Sequence, residues 1–562
     1  MRNMTELSSN GSLQRYGPGE GDRIHLADTG LIIEVERSLV PRGSESLIGA
    51  GKNLRDGMHV IPGTHPEGLD AVITNVVVLD PIVGTVKADI GIRNGDVAGL
   101  GNAGNPDVME VTEGLVIDST TSIIQAKGLI ATAGGIDTHQ HFKSPEVLST
   151  ALHSGITSVI QMGHAPNYQA RTDPQYLRDA IRSSEMYPVN IGFLGQGSDS
   201  DRGTIRDAIE SGMCGLKIHE DHGAYPAVIK AAFDVAEEYD VPVSIHTDSI
   251  NESGTLDATM AAIDGRPVHA FHIEGSGGGH IPDLLELVGC SNVLASSTNP
   301  TIPHTEKTRY ELMEMILAVH QMEGELTEDE AFATARVRDS TMAAEERLHE
   351  IGAISMTSSD SMGMGRAAET ILSTWQTASK MKYLEEEDSL DNERVRRYLA
   401  KYTINPAIAQ GIDQYVGSLE SGKMADIVLW QPKHFGAKPE RVLKSGVVVS
   451  APVGSENGTT TTGQPTEYDL SVGGVGAAPG PLSALFTSEH AAQNPDDTPI
   501  DTTRKILPVR GAQSVTKADM VENTATPNVD IDPETREVTI DGSTVSEQPL
   551  ERSTLSQRYF LH

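Results

Sequence analysis

Thr132-Ala133-Gly134-Gly135-Ile136-Asp137-Thr138-His139-Gln140-His141 is the stretch on which the fold turns. Side chains at i and i+2 of a β-strand share a face, so His139 and His141 can point together from one strand end. Imidazoles placed in that way bind borderline divalent metals. The plainer reading is a pair of unrelated polar histidines, and this stretch alone does not separate the two. The residues that follow do. Histidine recurs at the ends of successive apolar runs, in Leu216-Lys217-Ile218-His219, Ile245-His246 and His269-Ala270-Phe271-His272, and Thr357-Ser358-Ser359-Asp360 closes the series. Drawing ligands from several strands onto one face is how a parallel barrel builds its sites.

Outward from that series, residues 131–410 alternate short apolar stretches with helical ones, as where PAVIKAAFDVAEEYD (226–240) precedes VPVSIHTD (241–248). This predicts an α/β fold with a (β/α)8 barrel of the TIM type. Residues 1–130 alternate apolar runs with Gly, Asn and Asp turns, in DAVITNVVVLD (70–80), KADIGIRNGDVAGLG (87–101) and LVIDSTTSIIQAKGLI (115–130). The strand pattern returns over 411–454, and the two β segments are expected to pair into one composite domain flanking the barrel. Within 455–562, the Gly-, Thr- and Pro-rich 455–485 reads as a loop.

The chain has 562 residues, with 43 Lys plus Arg against 79 Asp plus Glu, a formal net charge of −36. Such a charge repels phosphate backbones and anionic lipid, which argues against nucleic-acid or membrane partners. Acidic runs such as Glu385-Glu386-Glu387-Asp388 read as solvated faces, and the excess with 4% aromatics suits a salt-rich cytosol and a halophilic host. No apolar run is long enough to cross a bilayer, and the start, MRNMTELSSN, lacks signal-peptide character, so a cytoplasmic protein is expected. Cys214 and Cys290 cannot make a disulfide framework and read as buried small apolar residues.

Several histidines plus an aspartate suit two adjacent metals; zinc, nickel, manganese and iron all accept such ligands. Lys217 is the odd member, because an ammonium has no lone pair. Desolvated beside cations, it loses its proton readily, and the free amine can capture carbon dioxide as a carbamate able to bridge two metals. The alternative is an ion pair with Glu220 or Asp221. Gly99-Leu100-Gly101-Asn102-Ala103-Gly104 has dinucleotide-loop spacing, but Asn105-Pro106 follows where a helix should open, so it reads as a turn. There is no P-loop and no nucleophile elbow.

Nearly end to end, the chain resembles the urease α-subunit family of the amidohydrolase superfamily. The strings carrying the likeness include YGPGEGDRIHLADTGLIIEVE, GNAGNPD, TAGGIDTHQH, GLKIHED, HTDSINESG, FHIEGSGGGHIPD, SSTNPTIPHT, TSSDSMGMGR, KYTINPA and QRYFLH. The resemblance implies hydrolysis of urea to ammonia and carbamate by two nickel ions per chain, with carbon dioxide held as a carbamate on Lys217. It implies His139, His141, Lys217, His246, His272 and Asp360 as metal ligands, and His219 and the backbone near Gly277 as urea-binding groups. His320, in LMEMILAVHQM, would be the acid that protonates departing ammonia, supported by Asp221 and Arg336. The implied partners are urease β and γ subunits in a trimer-based assembly, and nickel-loading accessory proteins.

Three places depart from the family pattern. Val319-His320-Gln321 stands where the family has Cys-His-His, and His222 where it usually has tryptophan. From Gln161, around the strand end near Gly163, a shorter QMGHAPNYQARTDPQYL replaces a Gly- and Thr-rich pocket loop; its His164 and Tyr168 read first as surface residues and second as candidates to reach the pocket. An altered loop leaves room for two rivals, an amidohydrolase of another amide or ureide and a silent subunit serving assembly.

Overall fold

The computed structural model describes residues 9–162, 174–219, 222–246, 256–276, 284–385, 390–454 and 467–556. At its centre are eight parallel strands: β1 (Gly135–His141), β2 (Ile156–Met162), β3 (Asn190–Gln196), β4 (Gly215–Ile218), β5 (Val243–His246), β6 (Val268–Phe271), β7 (Val293–Thr298) and β8 (Met356–Ser358). Each is hydrogen-bonded to the next, and the ring closes where Asp360 N donates to His139 O at 2.8 Å. At the other end of the same seam, Ile136 N and Thr357 N donate to the carbonyls of Tyr402 and Lys401. The strands are short and covered on both faces, and β2, ITSVIQM, is buried at every position. The fold is α/β, a barrel of the TIM type.

Helices α1 (Glu146–Ser154), α2 (Pro174–Ser184), α3 (Arg202–Glu210), α4 (Pro226–Tyr239) and α5 (Leu256–Ile263) lie between successive strands. In α4, Pro226 opens the helix and Val228, Ile229, Ala232, Phe233 and Ala236 recur every three or four residues as the buried face. Burying a side chain such as Phe233 stabilises by about 1.5–3 kcal/mol. Asp240 ends α4 in the left-handed region, and its carboxylate accepts from Gly511 N and Gln513 N, fastening the C-terminal part of the chain to the barrel. The β7–β8 connection is the longest and carries α6 (Thr308–Val319), α7 (Thr327–Arg336) and α8 (Asp339–Glu350).

The second sheet draws on both flanks. Ile130–Ala133 lies between Ala71–Asp80, parallel to it, and Ile427–Trp430, antiparallel to it. A core of Ile73, Val78, Ile90, Leu429 and Leu443 fills one face. The TAGG stretch therefore spans two sheets, with its first residues in this one and Gly135 opening the barrel. A Cβ on Gly134 would overlap Thr157 Oγ1, so only glycine passes here.

Several local expectations change. Gly99 and Gly101 belong to the strand Asp96–Gly101, paired antiparallel with Gly84–Arg93, and the turn follows at Asn105, whose side chain accepts from Asp107 N. Of 455–485, residues 455–466 lie outside the described chain. Tyr468–Leu470 is no loop: it extends the flanking sheet beside Val447–Pro452, because a sheet edge there offers free backbone partners. Ala484–Thr487 adds to β3, with Asn190 accepting from Ala484 N. Glu385 is only partly exposed and accepts from Arg394, while Glu386, Glu387 and Asp388 lie outside the described residues. Cys214 is buried and Cys290 half-buried.

Candidate metal centre

Asp360 is the hub. Its Oδ1 lies 3.2 Å from His139 Nε2 and 3.0 Å from His141 Nε2, and its Oδ2 lies 3.3 Å from His272 Nε2. Ligand atoms of His139, His141 and Asp360 all fall within 4.8 Å of one another, as a single metal would need. The His246 ring centroid is 4.5 Å from that of His272 and 6.2 Å from that of His139. Lys217 is wholly buried, with Nζ 3.8 Å from the centroid of Phe271, which stacks on His139 at 4.0 Å. β1, β4, β5, β6 and β8 thus deliver His139, His141, Lys217, His246, His272 and Asp360 to one end of the barrel, the end where strands finish.

Burial pushes His139 and His246 well below the ordinary histidine pKa, and the Lys217 charge adds to both shifts. Neutral imidazoles are the form a metal takes. Burial would raise Asp360, but the imidazoles of His139, His141 and His272 packed against its oxygens outweigh it and hold the carboxyl well below its usual range.

Neighbours aim the ligands. Thr298 Oγ1 lies 3.1 Å from His272 Nδ1, and Ser276 Oγ 3.4 Å from it, which turns Nε2 toward Asp360. Asp137 accepts from the backbone N–H of His139 and Ser359 and from Gln140 Nε2, tying β1 to β8. His272 and Asp360 both sit at positive φ, 52° and 56°, a conformation that costs about 1 kcal/mol or more for a residue with a side chain and is found at functional sites. A Cβ on Gly363 would overlap Asp360 Oδ1 and come within 2.9 Å of His141 Cδ2. Buried His139 Nδ1 has no hydrogen-bond partner among the described residues. An unpartnered ring nitrogen, a glycine cradle and an all-nitrogen-and-oxygen donor set fit a divalent metal.

Of the remaining expected site residues, His219 stands beside the cluster, its ring centroid 4.2 Å from His246. His222 is half-buried, 6.3 Å from His219 between centroids. His320 caps the C-terminus of α6, and Arg336 at the end of α7 places Nη1 3.3 Å from His320 Nε2. Val319, Leu312 and Ile316 of α6 pack with Ala333, Val337, Met342 and Met364. Met364 N in turn donates to Asp360 Oδ2 at 3.2 Å, so the helical flap rests on the loop that holds the hub. Asp221, Gly277, His164 and Tyr168 lie outside the described residues, as does the pocket loop after Gly163. Sequence reasoning missed Thr298, Phe271 and Gly363, whose residue types carry no ligand signal; only their spatial neighbours reveal them.

Residues 130–461 match the amidohydrolase family and residues 5–124 the N-terminal domain of the urease alpha-subunit. Urease subunit alpha of Haloarcula marismortui is 46% identical over 97% of this chain and 98% of its own. The Haloquadratum walsbyi and Natronomonas pharaonis proteins of that name are each 47% identical, over 99% and 97% of this chain and 100% and 98% of theirs. Among solved structures, a D-hydantoinase aligns with a TM-score of 0.47 at 16% identity, over 68% of this chain and 95% of its own. A dihydropyrimidinase from Brevibacillus agri aligns at 0.49 and 13%, over 67% of this chain and 94% of its own. The near full-length identity to those three relatives and the two family matches, in order along the chain, establish that it belongs to the urease alpha-subunit family, a hydrolase family built on the amidohydrolase barrel.

Proposed function

We propose that this chain hydrolyses urea to ammonia and carbamate, as the catalytic subunit of an assembly completed by urease β and γ subunits. The observation that carries the reading is the meeting of His139, His141 and His272 on Asp360, with Lys217 and His246 beside them. These six residues would hold two nickel ions, with accessory proteins loading them. The pair, when bound, supplies Lewis acidity toward a carbonyl oxygen and lowers the pKa of water.

Lys217 supplies the bridge. Its neutral Nζ would add to carbon dioxide, the N–C bond forming as one C=O π bond opens onto oxygen and the N–H proton passing to water, and the resulting carbamate would offer two oxygens as ligands. Lys217 is wholly buried beside the imidazoles that would share the metals with it. His219, at the edge of the cluster, would donate to the urea carbonyl oxygen, and the Gly277 backbone is proposed to accept from a urea amide.

The amino group of urea leaves as ammonia only once its nitrogen has been protonated, which calls for an acid on an element that can close. His320 at the end of α6 is that acid, oriented by Arg336 and supported by Asp221. The apolar face that α6 and α7 lay on Met364 keeps water out while the proton moves. No helix among the described residues is long and apolar enough to cross a membrane.

The test is ammonia release from urea in molar potassium chloride by the chain assembled with its β and γ partners, with nickel content measured on the same sample. Release abolished by His320→Ala at unchanged nickel content supports the reading. A nickel-loaded assembly that releases no ammonia refutes it.

A further inference from the structure

The flap leaves the barrel after β7 and returns at the start of α8, and its two ends meet. His304 precedes α6, and its Nε2 lies 3.1 Å from Asp339 Oδ1, the first residue of α8. Arg309, in the first turn of α6, donates from Nη1 to Asp339 Oδ2 at 3.0 Å. One carboxylate thus joins the outgoing and returning chain, using an oxygen for each.

The neck is also fixed from within. Glu346 Oε1 accepts from His304 N at 2.8 Å, Lys380 Nζ donates to His304 O at 3.0 Å, and Lys380 is paired with Glu346. His304 is almost wholly buried, whereas Asp339 remains 30% exposed at its side chain and Arg309 46%. The inner half of the neck belongs to the barrel wall, and the outer half hangs on Asp339.

We propose that Asp339 is a positioning residue for the flap, clasping α6 to α8 so that His320 is held against Arg336 on the helices that rest on the Asp360 loop. The route is short. Arg336 ends α7 three positions before Asp339, and the same Arg336 touches His320 at 3.3 Å. Freeing Asp339 frees the returning end of the flap and, with it, the arginine that orients the acid. The flap's apolar contacts with Met364 and Met342 remain, so the flap loosens without leaving. Charge-assisted hydrogen bonds of this kind are the stronger ones in proteins, and two of them share this carboxylate.

The catalytic consequence rests on the urea reading above; the clasp itself does not. The experiment compares wild type, Asp339→Asn and Arg309→Ala in the nickel-loaded assembly, by amide hydrogen exchange and by ammonia release. In Asp339→Asn, amides of 308–336 should exchange roughly tenfold faster while those of β1–β8 stay unchanged, and kcat should fall roughly tenfold with KM little altered. Arg309→Ala, which removes only the outer arm, should give a smaller change in the same direction. Unchanged flap exchange in Asp339→Asn overturns the clasp, and so does faster exchange spread over the whole barrel. If wild type releases no ammonia, the urea reading fails and the exchange comparison still decides the clasp.

Discussion

Arg336 Nη1 approaches His320 Nε2 to 3.3 Å, a contact that fixes which way the imidazole faces. The guanidinium carbon also lies 3.6 Å from the centroid of Phe332, which keeps the plane in place. Arg336→Lys retains the charge and loses both the planar donor and the stacking. It should lower kcat by roughly ten- to a hundredfold with KM little changed, as steady-state ammonia release would show. An unchanged kcat would remove Arg336 from the orientation of His320.

Thr298→Val keeps the shape of the residue behind His272 and deletes its hydroxyl. The loss of a partner behind a metal-binding histidine typically costs 10–100-fold in affinity, so nickel retained after dialysis against a weak chelator should drop by about that range. Circular dichroism should be unaltered. Full nickel retention would show that Ser276 alone aims the ring.

Gly363→Ala should be more severe. The added methyl cannot avoid Asp360 Oδ1 and His141, and both are at the hub. Metal content should fall toward zero while the barrel stays folded, since the nearest atoms the methyl meets all belong to Asp360 and His141. A variant that still holds two metals would mean the loop after β8 yields easily.

His269 gives a pH signature. Burial, then the nearby Lys217 charge, pushes it down to about 3, and Gln410 Nε2 at 3.0 Å from Nδ1 suits the neutral ring. A folded pKa depressed below the unfolded value of about 6.5 contributes stability that is present above 6.5 and lost as pH falls toward 3. The loss is at most about 1.4 kcal/mol per pH unit for this group. His269→Gln should therefore flatten the decline in denaturation midpoint between pH 6.5 and 4, and an unchanged slope would assign the acid sensitivity elsewhere.

The excess of 79 acidic over 43 basic residues predicts a salt-dependent stability. The screening length shrinks from about 10 Å at 0.1 M to about 3 Å at 1 M salt, which quiets repulsion among surface carboxylates. Thermal midpoints should rise steadily with potassium chloride over that range. A flat response would detach the acidic surface from any role in tolerating salt.

What the chain made legible follows from geometry and from the family resemblance. A strand repeats every two residues and a parallel barrel ends all its strands on one face, which brought out His139, His141, Lys217, His219, His246, His269, His272 and Asp360; the resemblance singled out the six ligands among them. Thr298 and Phe271 were not brought out, since a threonine and a phenylalanine in strands are ordinary until their distance from an imidazole is known. The His304–Asp339 contact joins residues 35 positions apart, with two helices between them, and no local pattern announces it. The edge strand Tyr468–Leu470 hid behind a Gly- and Thr-rich composition that suggested a loop, while its hydrogen bonds come from a partner strand.

Ile130–Ala133 has consequences for how the molecule is made. Its neighbours in the sheet are Ala71–Asp80, already synthesised when it emerges, and Ile427–Trp430, nearly three hundred residues later. Translation delivers the whole barrel before the last strand that the early flank needs. Until then the nascent chain carries an open apolar edge, a state prone to association with other chains. The N-terminal flank thus waits for the rest of the subunit, and folding closes like a clasp bracelet whose first link is fastened last.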